Sequence, residues 1–185
     1  ARGQTDTIAN GIKMAIEEYG GEIAGMKIGY EDWDDADASS QSWTAELETT
    51  NANKAINDPD VMAYIGPYNS GAAKKSMPLL NEAGLLQCSP ANTNPDLTKG
   101  DAGKQLRAKN PDKINYVRVA TTDDIQGPAV AQYAYNVLGL KKVAIIDDLS
   151  VYGKGIADAF SAEFTKLGGA VVDREGADPK TTDFL

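Results

Sequence analysis

Histidine is absent from this chain of 185 residues. The gap removes Ser–His and Cys–His nucleophile pairs, histidine general bases and imidazole metal ligands together. Cysteine occurs once, as Cys88, so no disulfide can close within the chain, and cysteine usage leaves the redox compartment open. In Leu85-Leu86-Gln87-Cys88 the thiol reads as a small core group and not as a nucleophile without a base. Basic charge is scarce: 18 Lys and Arg against 27 Asp and Glu give a net charge of −9, which offers no basic face to nucleic-acid phosphates. No apolar run approaches the ~20 residues of a membrane-crossing helix. Phosphate loops are missing as well. Gly153-x-Gly155 lacks the third glycine of the dinucleotide turn, and no Gly-x-x-x-x-Gly-Lys-Ser/Thr occurs.

What is present is an ordinary globular mix, 42% hydrophobic and 24% charged, with two informative stretches. Tyr64-Ile65-Gly66-Pro67-Tyr68-Asn69-Ser70-Gly71-Ala72 and Cys88-Ser89-Pro90-Ala91-Asn92-Thr93-Asn94 each run from apolar residues into small polar ones. Such a run reads as a buried parallel strand feeding a polar loop. In open α/β sheets ligands bind beyond the carboxyl ends of the strands. Neither stretch carries a residue equipped for bond breaking, so the pair speaks of binding, with no metal or cofactor.

Strand-like and helix-like segments alternate throughout. Ile8, Ile12, Ala15, Ile16 and Tyr19 share one helical face ahead of Gly20-Gly21. Strands are predicted at 26–30, 61–65, 85–89, 116–120, 143–147 and 170–173. Helices are predicted from Ser39/Ser40 to Asn57, over 71–83 with Pro78 inside, over 124–138, and around Ile156, Phe160, Phe164 and Leu167. Residues 90–115 read as a long irregular segment. This alternation predicts an α/β fold with doubly wound parallel sheets. A break in character between residues 90 and 124 divides two βαβ blocks.

Each candidate site has a plain alternative. Asn69-Ser70-Gly71 at a helix start would favour a carboxylate, and would equally serve as an N-cap. Pro90-Ala91-Asn92-Thr93 is either a second set of ligand groups or turn chemistry. Asp32, Asp34, Asp35 and Asp37 read as a solvated acidic loop before a cation or phospho-acceptor site, lacking the calcium-loop spacing. Asp147-Asp148 marks a cleft edge or a loop start, and Tyr152 a ligand lid or an exposed turn tyrosine.

Four motifs follow one another in order: Ile65-Gly66-x-x-Asn69-Ser70, Ser89-Pro90-Ala91-Asn92-Thr93-Asn94-Pro95-Asp96-Leu97-Thr98, Asp124-x-Gln126-Gly127-Pro128 and Tyr152-Gly153-Lys154-Gly155. Together they resemble the branched-chain amino-acid-binding (Leu/Ile/Val-binding) family of type I periplasmic binding proteins, the solute receptors of ABC importers. The resemblance implies two α/β lobes, residues 1–120 in the first and 121–185 opening the second, hinged near Ala120 to Asp124. It implies an amino acid or related carboxylate held between them and passed to an ABC permease. The setting would be periplasmic or otherwise extracytoplasmic, free or lipid-anchored. Ser70 would hold the carboxylate, Ala91 through its backbone and Thr93 would hold carboxylate and ammonium, and Tyr152 would close from the second lobe. Asn69, Asn92 and Gln4 complete the candidate set. A sensory ectodomain of the same fold, a receiver-like or dinucleotide enzyme and a repressor core are the competing readings.

Two departures follow from the resemblance. Cysteines that the family often pairs are replaced by Ala36 and Asn69. The family's first strand, which would lie between strands 26–30 and 61–65, and most of its second lobe have no counterpart in these residues. The chain is therefore expected to be an internal fragment whose sheet is completed by another chain or a further segment. Direct pairing of strands 26–30 and 61–65 would contradict that expectation.

Overall fold

The first βαβ block is built around a three-stranded parallel sheet in a computed structural model that describes residues 2–178 and Thr181, with side chains from Thr5 onward. Strands β3 (Ala63–Ile65), β4 (Leu86–Ser89) and β5 (Tyr116–Arg118) lie in the order β3-β4-β5. Ile65 is level with Cys88, and Cys88 with Val117. A second parallel pair, β6 (Lys142–Asp147) and β7 (Ala170–Gly176), forms the other block. The crossovers are α3 (Ser70–Ala83) between β3 and β4, and α6 (Val151–Lys166) between β6 and β7. Helix α5 (Asp123–Gln132), which continues through a π turn over Tyr133–Val137, packs on α6.

The helices start where the sequence offers caps. Thr44 caps α2 (Ala45–Asn57) by accepting the Leu47 N–H, and Ser150 caps α6 by accepting the Gly153 N–H. Gly84 ends α3 in the left-handed conformation at φ 71°. Pro78 interrupts no part of α3, which runs unbroken from Ser70 to Ala83.

The predicted strand 26–30 is not part of a parallel sheet. Only Met26–Lys27 (β2) is a strand, and it pairs antiparallel with Glu22–Ile23 (β1). Gly20, Gly21 and Gly25 take positive φ and turn the chain back on itself. Strand β3 pairs with β4 alone among the described residues, so strands 26–30 and 61–65 are not joined. Helix α2 begins at Ala45, five or six residues later than the serines suggested, because Asp37 accepts the N–H groups of Ser39 and Ser40 and forms a turn instead. The segment 90–115, expected to be irregular, holds a 3-10 turn at Pro95–Leu97 and α4 (Gly100–Gln105).

The cores lie on one face of each sheet. Ala73 and Met77 of α3 pack with Leu97, Tyr116 and the half-buried Leu106. Ala131, Ala134 and Phe164 pack with Phe160, Val143 and Val171, the two phenylalanines stacking at 5.4 Å. The opposite faces present Ile65, Leu86, Val117 and Ile146 outward. Cys88, expected in the core, is half-buried on that same face.

Candidate functional site

The turn after β4 and the loop after β3 are locked into one unit by short polar side chains. Ser89 donates its hydroxyl to Pro67 O at 3.1 Å and accepts the N–H groups of Ala91 and Asn92 at 3.3 and 2.9 Å. Asn92 is fully buried. Its amide donates to Pro67 O and Tyr68 O at 3.1 and 2.9 Å, and its Oδ1 accepts the Tyr116 hydroxyl at 2.9 Å. Burial pushes the Tyr116 phenol up to about 12, so it stays a donor. Arg118 grips the turn from below, donating to the carbonyls of Asn92 and Asn94 at 3.3 and 2.7 Å and to the Thr98 hydroxyl. Gly66 enters this unit at φ 144°, a conformation that leaves glycine as the natural residue.

The unit aims the first turn of α3 at the loop. Asn69 is the N-cap by its backbone, makes no side-chain cap bond and is half-buried. Ser70 is buried, and its Oγ accepts the Asn94 N–H at 3.4 Å. A serine that accepts there keeps its own proton for a further acceptor. Gly71 lies under the Trp43 ring, where a Cβ would stand 2.6 Å from Cζ2.

Thr93 points the other way. Its hydroxyl donates to Asp123 Oδ2 at 3.1 Å, and the Asp123 N–H donates to Thr93 O at 2.9 Å. Asp123 is fully buried at the start of α5, and its Oδ1 has no partner among the described residues. Burial raises its carboxyl, opposed by the Thr93 bond and the charge of Arg118. Neighbouring Asp124, the residue that the sequence motif singles out, is instead exposed and paired with Lys99 at 2.6 Å.

Helix α6 reaches this unit through Asn94, whose amide donates to Val151 O at 3.3 Å. Gly155 permits that approach, since a Cβ there would lie 3.0 Å from Asn94 Nδ2. Tyr152 is half-exposed and lines an open hollow of about 350 Å³ with Ile145, Asp148 and Ile156. The structure thus brings Ser70, Ala91, Asn92 and Thr93 together in one bonded unit, with Asn69 at its edge making no bond across the loops among the described residues, and sets Tyr152 one residue past the Asn94 contact. Gln4 lies in α1 (Arg2–Glu18), and its side chain is outside the described residues. Asp147 is buried against Arg174 at 3.4 Å, and Asp148 accepts the Ser150 N–H, so both serve the turn into α6. In the acidic loop no group of three His, Cys, Asp or Glu suited to a metal ion occurs among the described residues.

Sequence reasoning passed over Asp123, Asn94 and Arg118. Thr122-Asp123 following a strand is a helix-start signal that could have drawn attention to the first of them. The other two were legible only as turn and strand residues.

Known proteins of similar sequence and shape share this arrangement of blocks. A family model described as periplasmic binding protein matches residues 4–185. The Leu/Ile/Val-binding protein BraC3 of Rhizobium johnstonii is 34% identical over 181 residues, which is 97% of this chain and 44% of that protein. A leucine-binding protein from Thermotoga maritima superposes with a TM-score of 0.79 at 29% identity, covering 94% of this chain and 44% of that one. A substrate-binding protein of an ABC transporter from Desulfitobacterium hafniense, solved in complex with Leu, gives 0.71 at 27% identity, covering 91% and 46%. The chain spans less than half the length of these relatives. With the family model matching all but its first three residues, the chain belongs to the periplasmic binding protein family.

Proposed function

We propose that this chain supplies one wall of a receptor for an amino acid, held between a lobe of residues 1–120 and one opened by residues 121–185. The observation that carries the proposal is the opposed polarity of two neighbouring hydroxyls. Ser70 accepts from the backbone and keeps its proton, at a helix start whose free N–H groups favour an anion. Thr93 spends its proton on Asp123 and keeps its lone pairs, beside a buried carboxylate oxygen without a partner. A zwitterion needs a donor set for its carboxylate and an acceptor set for its ammonium. Asn69 and the Ala91 backbone flank the first set, and Tyr152 closes over the ligand from α6. The buried Asn92 holds both loops in place. The receptor releases its solute to an ABC permease outside the cytoplasm, and further polypeptide covers the open edge of β3 and completes the second lobe. Relatives described as Leu/Ile/Val-binding and as a complex with Leu make an apolar amino acid the solute to try.

Calorimetric titration with leucine, isoleucine and valine, alongside leucinol and 4-methylpentanoate, tests the two ends separately. Leucine binds, and both truncated analogues bind at least tenfold more weakly. Asp123→Asn weakens leucine by a similar factor and leaves 4-methylpentanoate unchanged. Absence of heat with every amino acid, or a leucine affinity that ignores Asp123→Asn, contradicts the proposal.

A further inference from the structure

The loop that leads into Ser70 is also tied to a buried acid that ligand binding does not use. Glu48 sits on α2 with no exposed surface, and its Oε2 accepts the Tyr64 hydroxyl at 3.0 Å. Its Oε1 has no partner in hydrogen-bond geometry, although Ser76 lies close enough for its hydroxyl to favour the charged form. Ser76 and Gln87 are also fully buried. Gln87 donates one amide hydrogen to Ser76 Oγ at 3.0 Å and the other to Gly66 O at 3.2 Å, while its Oε1 is left without a donor. Hydrogen bonds therefore run from Ser76 on α3 through Gln87 on β4 to Gly66, which opens the Pro67–Asn69 loop, with the unpartnered Glu48 Oε1 at the Ser76 end.

The titratable groups that face Glu48 are Asp35, from the segment before α2, and Tyr64, from β3. Asp35 is half-buried with its own Oδ2 lacking a donor, and its charge opposes ionisation of Glu48. Helix α3 and strand β4 offer Ser76 and Gln87, neither of which titrates. Neither acid forms an ion pair with a cation among the described residues. A carboxyl in this setting costs less as the neutral acid.

We propose that Glu48, Ser76 and Gln87 form a proton-binding relay that sets the position of the Gly66–Asn69 loop, so that a proton taken up at Glu48 changes the affinity for the solute. Ionised Glu48 draws the Ser76 proton toward itself, which leaves Ser76 Oγ a better acceptor for Gln87. Neutral Glu48 becomes a donor to Ser76, whose proton must then turn away. Ser76 Oγ then accepts from both Glu48 and Gln87, so the Gln87 amide bonds it more weakly and its hold on Gly66 O resets. The proton comes from solvent as the pH falls through neutrality, where burial places the Glu48 carboxyl, at about 7. The effect on affinity rests on the receptor reading above, whereas the effect on the loop does not.

The test follows backbone amide shifts of Gly66, Tyr68 and Asn69 in the ligand-free protein from pH ~5 to ~9, a span that brackets a carboxyl raised to neutrality. Wild type shows a single step near neutral pH, and Glu48→Gln shows none. In Ser76→Ala the Glu48 side-chain carbon still titrates while the loop amides stay still, which covers the case in which Glu48→Gln does not fold. Leucine affinity shifts about threefold across the same step in wild type and stays flat in Glu48→Gln. Loop amides that do not titrate, or that titrate alike in both proteins, overturn the relay. Titrating amides with no leucine binding at any pH support the relay and overturn the receptor reading.

Discussion

Replacing Asn92 by alanine should unlock the loop unit and cost more stability than any other polar truncation in it. Three side-chain hydrogen bonds disappear together, two to carbonyls and one from the Tyr116 hydroxyl. Each is worth roughly 1 kcal/mol net, and leaving a buried partner unsatisfied adds a desolvation cost of about 1–3 kcal/mol. Tyr116 is only 5% exposed, and Pro67 is buried, so water reaches neither partner easily. The expected loss is about 4–6 kcal/mol, a large share of the roughly 5–15 kcal/mol that holds a domain together. Urea titration monitored by circular dichroism measures it, with the midpoint falling and the slope unchanged. Asn92→Asp should do no better, since it keeps Oδ1 but turns a carboxylate toward two carbonyl oxygens. A loss below about 1 kcal/mol, with leucine affinity gone, refutes the reasoning, because Asn92 would then face the solute and not the loops.

Two further perturbations probe other parts of the account. Gly127→Ala places a Cβ 2.6 Å from Ala159 Cβ and 2.9 Å from the Phe160 backbone nitrogen, so α5 and α6 must separate. The cost is about 1–3 kcal/mol, read as a lower urea midpoint, and an unchanged midpoint argues against that packing. Glu48 holds a proton between its ordinary value of 4.5 and about 7 in the folded chain, where the unfolded chain has released it. Stability therefore falls as the pH rises through that window, by about 3 kcal/mol in all, and is level above it. Glu48→Gln should flatten the profile in urea melts, and a profile that stays as steep contradicts the raised carboxyl.

Much of the architecture was legible because parallel strands buried near a crossover helix leave apolar runs bounded by glycine. The runs at 61–65, 85–89 and 143–147 become β3, β4 and β6. Met26–Tyr30 alternates like a strand yet forms no part of a parallel sheet, because pattern alone does not supply a neighbour. β3 has no second partner among the described residues, and Met26–Lys27 folds back on Glu22–Ile23 instead. The α2 start was misplaced because serine favours a cap and a turn alike, and Asp37 decided for the turn. The loop motifs named their residues without separating how each is bonded. Ser70, Asn92 and Thr93 are all short and polar, and only the direction of each hydrogen bond tells a donor from an acceptor or a bracket. Asp123 and Asp124 are adjacent aspartates that sequence cannot rank. A helix start turns one inward to Thr93 and leaves the other outside with Lys99.

The central claim is that the Ser70 turn and the Asp123–Thr93 pair take opposite ends of one amino acid. A crystal structure of the protein grown with leucine tests it most directly. The account predicts the leucine carboxylate about 3 Å from Ser70 Oγ and the first amides of α3, with its ammonium at the same distance from Thr93 Oγ1 and Asp123 Oδ1. Leucine bound elsewhere, or with its ammonium turned away from Asp123, would contradict it.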